Sequence, residues 1–175
     1  MKNIIKIILL FLLVVVSCKK TKELPQRNYT LSGGFFIVNE GNFRGGNGSL
    51  SFYSYDSSKI SNNLFSSVNS RPLGDVPYSM TINGDKAYIV VNNSGKIEVI
   101  DPTTLVSKST ITGLISPRYM AIVNSSKAYV TSLYSDSVII INLATSSISG
   151  YINLRRTSEA IAVLDNKVYA SNWPG

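Results

Sequence analysis

After residue 30 the chain alternates short apolar runs with clusters of Ser, Asn, Gly and Thr, and no long segment carries a helical apolar period. The clearest stretch is KAYIVVNNSGKIEVID, Lys86 to Asp101. Its first half, Ala87 to Asn92, is rich in β-branched and aromatic residues. Its second half, Lys96 to Asp101, alternates Ile97, Val99 and, one step out of phase, Ile100 with polar Lys96 and Glu98. Between them Asn92, Asn93, Ser94 and Gly95 tolerate positive φ or bond to their own backbone. The pattern predicts a β-hairpin.

The hairpin recurs as KAYVTSLYSDSVIIIN, Lys127 to Asn142, and as KVYASNWPG from Lys167 onward. Tyr88, Tyr129 and Tyr169 are 41 and 40 residues apart, and Met80, Met120 and Ile161 ahead of them are 40 and 41 apart. A fixed period near 40 with several strands per repeat predicts β-propeller blades. The three tyrosines alternate within strands and are expected to pack between blades. A divergent first copy, GGFFIVNEGN followed by SLSFYSYD, spans Gly33 to Asp56.

The fold class is therefore all-β, a propeller of four-stranded blades. Phe35 to Asn39 and Leu50 to Tyr55 are expected strands of the first blade, joined by the long loop Glu40 to Ser49, and Lys59 to Asn69 is expected to hold its outer strand. The crossover Arg71 to Tyr78 leads to blade two, Ser79 to Ile111; blade three runs Tyr119 to Ile152, and a fourth begins at Glu159. About three and a half blades of an expected seven are present, so the sequence reads as the N-terminal part of a longer ring. Asp56, Asp101 and Asn142 recur at strand ends, where they cap the following turn.

Composition narrows the chemistry. There is one cysteine and no histidine, which excludes an internal disulfide, the usual zinc sites and Ser-His-Asp or Cys-His catalysis. The glycine-rich loop EGNFRGGNGS has no Gly-Lys-Ser/Thr end and no helix to follow, so it is not a phosphate-binding loop. The formal charge of +7 is spread singly, two of the lysines lie in a segment expected to be removed, and no basic stripe appears. No nucleic-acid partner is expected. No cofactor is expected either.

The N-terminus adds an address. Residues 1–18, MKNIIKIILLFLLVVVSC, have a basic start and a short apolar run, the outline of a secretory signal peptide. Its end, Val15-Val16-Ser17-Cys18, resembles a bacterial lipobox, which implies that Cys18 becomes an acylated N-terminus. Acyl chains would then hold the protein in a bilayer at roughly 0.8 kcal/mol per buried methylene. Residues 19–32 are polar, contain Pro25 and show no period, and read as a flexible tether to the domain at 33–175. Lys19 in place of aspartate favours the outer membrane. No acidic run follows the cysteine, and the periplasmic and cell-surface faces both stay open.

The repeats KAYIVVNNSGKIEVID and KAYVTSLYSDSVIIIN resemble YVTN-type (YncE-like) seven-bladed propellers over Gly33 to Gly175. FIVNEGNFRGGNGSLSFY, RPLGDVPYSMTINGDKAYIVVNNSGKIEVID and SPRYMAIVNSSKAYVTSLYSDS are similar, more narrowly, to surface lipoproteins of Bacteroidetes, whose BtuG-type members bind cobalamin and sit on a TonB-dependent transporter. That resemblance implies a non-catalytic, lipid-anchored protein that captures a small molecule for such a transporter. In a four-stranded blade the crossover into the first strand and the loop between the second and third strands share one face. On that face the chain gathers Phe43, Arg44, Tyr78, Arg118, Tyr119, Tyr134, Arg155, Arg156 and Trp173, rings and oriented donors suited to a large planar ligand. Two other classes stand beside this reading: a structural or adhesive surface propeller, and a propeller hydrolase holding a divalent cation by convergent carboxylates. Against the hydrolase, the crossovers offer Asp75 and Glu159 but a cation, Arg118, between them. If Cys18 is the lipidated residue, Cys18→Ser will abolish incorporation of labelled palmitate and leave the protein out of the detergent phase; unchanged labelling would remove the anchor.

Overall fold

The computed structural model describes Tyr29 and residues 33–172. Cys18 and Trp173 lie outside the described residues. Among the described residues thirteen strands fall into four antiparallel sheets, each a simple meander. The first holds β1 (Gly34–Asn39), β2 (Ser49–Ser54) and β3 (Lys59–Ser61). The second holds β4 (Pro77–Asn83), β5 (Lys86–Val91), β6 (Lys96–Ile100) and β7 (Ser107–Thr112). The third holds β8 (Pro117–Asn124), β9 (Lys127–Ser132), β10 (Ser137–Asn142) and β11 (Ser147–Asn153). The fourth pairs β12 (Ser158–Leu164) with β13 (Lys167–Asn172). These are the blades of a β-propeller.

Neighbouring blades meet in a fixed way. The first strands β4, β8 and β12 lie side by side, and the second strand of each blade packs on the first strand of the next: β5 on β8, β9 on β12. β1 packs on β4 in the same manner. It therefore holds the second place in its blade, and β2 and β3 hold the third and fourth. Serine and threonine hydroxyls tie the first strands together across the gap. Ser79 Oγ donates to the Arg118 carbonyl at 2.6 Å and Thr81 Oγ1 to that of Met120 at 2.9 Å. These bonds occupy carbonyls on the inner edge that no ladder satisfies.

The core is not inside a sheet but between sheets. Alternate residues of β5 point to opposite faces, so Tyr88 and Val90 join Ile97, Val99, Met120, Ala128 and Val130 in the slab between blades two and three. Ala87, Ile89 and Val91 join Leu50, Phe52, Phe65 and Ile100 in the slab between blades one and two. With both faces covered, β5 can be apolar at every position from Ala87 to Val91, as its sequence is.

Five details differ from the sequence expectation. The outer strand expected over 59–69 is only β3, followed by the helix α1 (Leu64–Asn69), which turns Leu64 and Phe65 into the slab. Tyr29, within the expected tether, docks on Phe52 and Phe36 with ring centroids 5.2 and 6.2 Å away, and its N–H donates to the Thr103 carbonyl. Of the three repeat tyrosines, Tyr88 is 1% exposed, Tyr129 half-buried and Tyr169 54% exposed. Inter-blade packing thus holds for Tyr88, and Tyr169 has no blade stacked over it among the described residues. The Asx turns are as expected at Asp101 and Asn142, whose Oδ1 atoms accept from the second and third following N–H groups. The turn after β2 instead uses Ser54 Oγ, which accepts from Ser57 N.

The fifth difference is electrostatic. Glu98, a polar position in the alternation of β6, is fully buried in the slab facing blade one. Arg71 donates to both its oxygens, at 3.2 and 2.5 Å, while Lys96, Ser107 and Thr110 complete the shell. Arg71 also lies 4.9 Å over the Phe65 ring. Burial pushes the Glu98 carboxyl up, but the bonds from Arg71, Ser107 and Lys96 prevail and hold it below the usual range. Removing it as Glu98→Ala will cost about 2 kcal/mol in denaturant unfolding at neutral pH, because the largely buried Lys96 loses its counter-charge while Arg71, 40% exposed, is partly screened by water. A group with a depressed folded pKa stabilises above its unfolded pKa and loses that contribution as pH falls through the folded value. The Glu98→Ala deficit will therefore shrink below about pH 4.5, the ordinary value for this group.

Candidate functional site at the mouth of the inner strands

The loops and crossovers do share one face. Asn92 N–H donates to the Val76 carbonyl at 2.7 Å and Leu133 N–H to that of Ser116 at 3.0 Å, so each second-to-third-strand loop sits beside the crossover into its own blade. In blade one the equivalent loop, residues 40–48, is closed by Asn47 Oδ1 accepting from Asn42 N, and Gly48 bridges to Gly74. Asp75 then clasps two neighbouring loops: its Oδ2 accepts from Arg44 N at 3.0 Å and from the Asn93 side-chain amide, and its N–H donates to Ser94 Oγ.

At this end each inner strand leaves its ladder at the same place. The register with the second strand shifts between Pro77 and Ser79, between Pro117 and Met120, and between Ser158 and Ile161. Bulges re-aim side chains, and the residues freed here are Tyr78, Arg118 with Tyr119, and Glu159 with Ala160. Two residues earlier the backbone of Val76 and Ser116 is left-handed, with φ of 56° and 41°. A β-branched side chain at positive φ is strained, so the approach to the bulge in blade two is held against a local preference.

Tyr78, Arg118 and Glu159 occupy one repeat position in three successive blades and converge. Arg118 grips Glu159 with two parallel bonds, Nε to Oε2 and Nη2 to Oε1, both 2.7 Å. Its guanidinium carbon lies 3.4 Å above the Tyr78 ring, and the Tyr78 hydroxyl donates to Glu159 Oε1 at 2.8 Å. Tyr119 meets Tyr78 edge-on at 5.2 Å. Thr131 Oγ1 donates to the Glu159 carbonyl and accepts from Tyr119 N. Burial raises the Tyr78 hydroxyl well above the ordinary phenol range, helped by its bond to Glu159. Burial likewise pushes Glu159 up, but Arg118 and Tyr78 together hold it below the usual carboxylate range. Burial disfavours the Arg118 charge, and Glu159, aided through space by Glu40, more than restores it.

Of the residues expected in the site, the structure brings Tyr78, Arg118 and Tyr119 into one cluster. Phe43 and Arg44 stand apart on their loop, the Arg44 guanidinium 5.2 Å from the Phe43 ring. Tyr134 is exposed on the blade-three loop, and Arg155 and Arg156 are exposed on the crossover before β12. No hydrogen bond or ring contact among the described residues joins Phe43, Arg44, Tyr134, Arg155 or Arg156 to Tyr78. Glu159, read from sequence only as a crossover acid, is the hub. The signal was present in the 40- and 41-residue spacings from Tyr78 to Arg118 to Glu159, which match the repeat. Among the described residues no three His, Cys, Asp or Glu side chains gather in a way that could hold a metal ion. With the Tyr78 hydroxyl and two Arg118 nitrogens spent on Glu159, the cluster is satisfied internally and turns the Tyr119 ring, 37% exposed, outward.

The chain belongs to the family described as a domain of unknown function, DUF5074, whose model matches residues 33–173. No curated protein matches it. Its fold is similar to the WD40 β-propeller domain of Doa1, with a TM-score of 0.62 and 13% identity over 82% of this chain and 45% of that one. It is also similar to a quinoprotein alcohol dehydrogenase-like protein from Bacteroides thetaiotaomicron, with a TM-score of 0.61 and 19% identity over 83% of this chain and 35% of that one. For a luciferin-regenerating enzyme the TM-score is 0.59, with 12% identity over 83% and 52%. The chain thus spans between about a third and a half of the length of these propellers, and the likeness is one of fold. If the inter-blade pair is the organising contact of the mouth, a double-mutant cycle of Arg118→Ala and Glu159→Ala will give a coupling of about 2 kcal/mol in urea unfolding at pH 7. Because the Glu159 pKa is depressed, that coupling will fade as pH drops through its folded value, below about 4.5.

Proposed function

We propose that this chain is a non-catalytic binding propeller, lipid-anchored through Cys18 in the outer membrane, that captures a small molecule at the mouth of its inner strands for a TonB-dependent transporter. The observation that supports this is the run of three bulges that turns Tyr78, Arg118 and Glu159 toward one point. Such a cluster, its donors spent on Glu159, holds the exposed Tyr119 ring in place and so offers flat apolar area without ordering cost on binding. Phe43 and Tyr134 extend the aromatic surface outward on the same face. Cobalamin is the ligand that the resemblance to BtuG-type lipoproteins implies, and a corrin has the flat face that exposed rings would meet. A second reading, docking of a protein partner, is favoured by the exposure of Phe43 and Tyr134 on loops, where aromatic anchors serve interfaces.

Titration calorimetry of cobalamin into the full chain in detergent tests the first reading. Saturable binding is expected, weakened about tenfold, or roughly 1.4 kcal/mol, by Tyr134→Ala or Phe43→Ala. No saturable heat with the wild-type chain would discard cobalamin and leave the protein-docking reading.

A further inference from the structure

The chain enters the propeller at the end opposite the mouth. Each blade is a meander, so the turns between its first and second strands and between its third and fourth strands gather at one end, while the mouth loops gather at the other. Lys108 marks the first of these ends in blade two, where its Nζ donates to Asp85 after β4 and pairs with Asp101 after β6 at 3.2 Å. Thr103 lies in the same turn as Asp101, and its carbonyl accepts from Tyr29 N at 2.9 Å. Four residues on, the Gly33 carbonyl accepts from Tyr55 N, beside the turn between β2 and β3. Two backbone bonds, one to each of two blades, thus fix the incoming chain at this end.

The Tyr29 ring holds this strap down. It is half-buried, packs on the core between blades one and two, and meets the Phe52 ring edge-on with 70° between their planes. Gly34 makes room for that seat. A Cβ there would come 2.5 Å from Phe52 Cζ and 1.9 Å from the Tyr53 carbonyl oxygen, so a side chain at 34 would displace the ring that Tyr29 meets. Burial of an apolar ring opposes its release into water.

Tyr29 follows Cys18 by eleven residues, a span of at most about 40 Å when fully extended. The strands of a blade are about 20 Å tall, and the mouth loops stand beyond them. With the strap docked, laying the mouth on the bilayer that holds Cys18 would require the chain to climb the side of the disc nearly straight, at a cost in conformational freedom. The shorter way places the opposite end beside the bilayer.

We infer that the Tyr29 strap sets how the protein stands on its membrane: the end carrying Asp85, Thr103 and Ser125 faces the bilayer, and the mouth faces away from it into water. The inference rests on the proposed acylation of Cys18. It leaves Phe43, Tyr119 and Tyr134 open to the aqueous phase and not to lipid.

Energy transfer to the membrane surface tests this. Cys18 is the one cysteine of the chain, and its sulfur carries lipid in this reading, so an introduced cysteine alone takes a thiol-reactive dye. Two exposed positions mark the two ends of blade three, Ser125 between β8 and β9 and Tyr134 between β9 and β10. The acylated full chain bearing Ser125→Cys or Tyr134→Cys is inserted from detergent into preformed vesicles of phosphatidylethanolamine and phosphatidylglycerol whose headgroups carry an acceptor dye. Transfer from position 125 is expected to exceed that from position 134. Tyr29→Ala will narrow the difference by freeing the strap, and Tyr29→Phe, which keeps the ring, will restore it. The comparison of the two dye positions with Tyr29 intact stands whether or not Tyr29→Ala folds. Equal transfer from the two positions, or more from 134, in a chain that floats with the vesicles overturns the orientation and leaves the anchor. A difference unchanged by Tyr29→Ala, in a chain whose circular dichroism is that of the wild type, overturns the strap. A wild type that does not float with the vesicles, or a Cys18→Ser variant that floats equally, removes the anchor and the orientation with it.

Discussion

Everything in this structure depends on the stacking of one radial sheet on the next. A blade by itself is a twisted four-stranded meander with two apolar faces, and neither can be buried by its own residues. The period-two alternation sends Tyr88 and Val90 one way and Ala87, Ile89 and Val91 the other, so each blade is half of two cores. Stability is accordingly a nearest-neighbour property, in which the same side chain is buried or exposed according to what lies beside it. The passage from Tyr88 through Tyr129 to Tyr169 displays that dependence within one chain.

The polar groups follow the same logic. Where blades meet at their inner edges, hydroxyls of Ser79, Thr81 and Thr131 occupy carbonyls of the next inner strand. Where the crossover enters blade two, Arg71 reaches over Phe65 to the buried Glu98. Where three blades converge, Arg118 is held between the Tyr78 ring and the Glu159 carboxylate. Each contact joins elements that ladder bonds cannot join, and each fixes how one blade sits on another. The Glu159 charge is tolerated because its partners arrive with neighbouring blades, and the Glu98 charge because Arg71 of the crossover joins Lys96, Ser107 and Thr110 of its own blade.

The mouth shows how a repeat can build a polar cluster. One structural position, repeated at the chain's own period and displaced by a bulge each time, presents a phenol, a guanidinium and a carboxylate within hydrogen-bonding distance. Divergence at a single repeat position thus creates chemistry without altering the packing behind it, since Met80, Met120 and Ile161 continue the apolar pattern beside it. The loops around it expose Phe43 and Tyr134.

Sequence by itself determined the strands, their period and the blade architecture, because alternation, turn residues and a 40-residue repeat are local signals. It also located the face on which loops and crossovers gather, and it marked Tyr78, Arg118 and Tyr119. It could not show that Glu98 is buried, since alternation reports which residues share a face and not whether that face meets water. Nor could it show that residues 64–69 form a helix, where Leu64 and Phe65 are drawn into the slab of the neighbouring blade. The role of Glu159 was hidden for the same reason. Its partners Tyr78 and Arg118 lie 81 and 41 residues away, and only the closure of one blade upon the next brings an acid, a base and a ring to a single point.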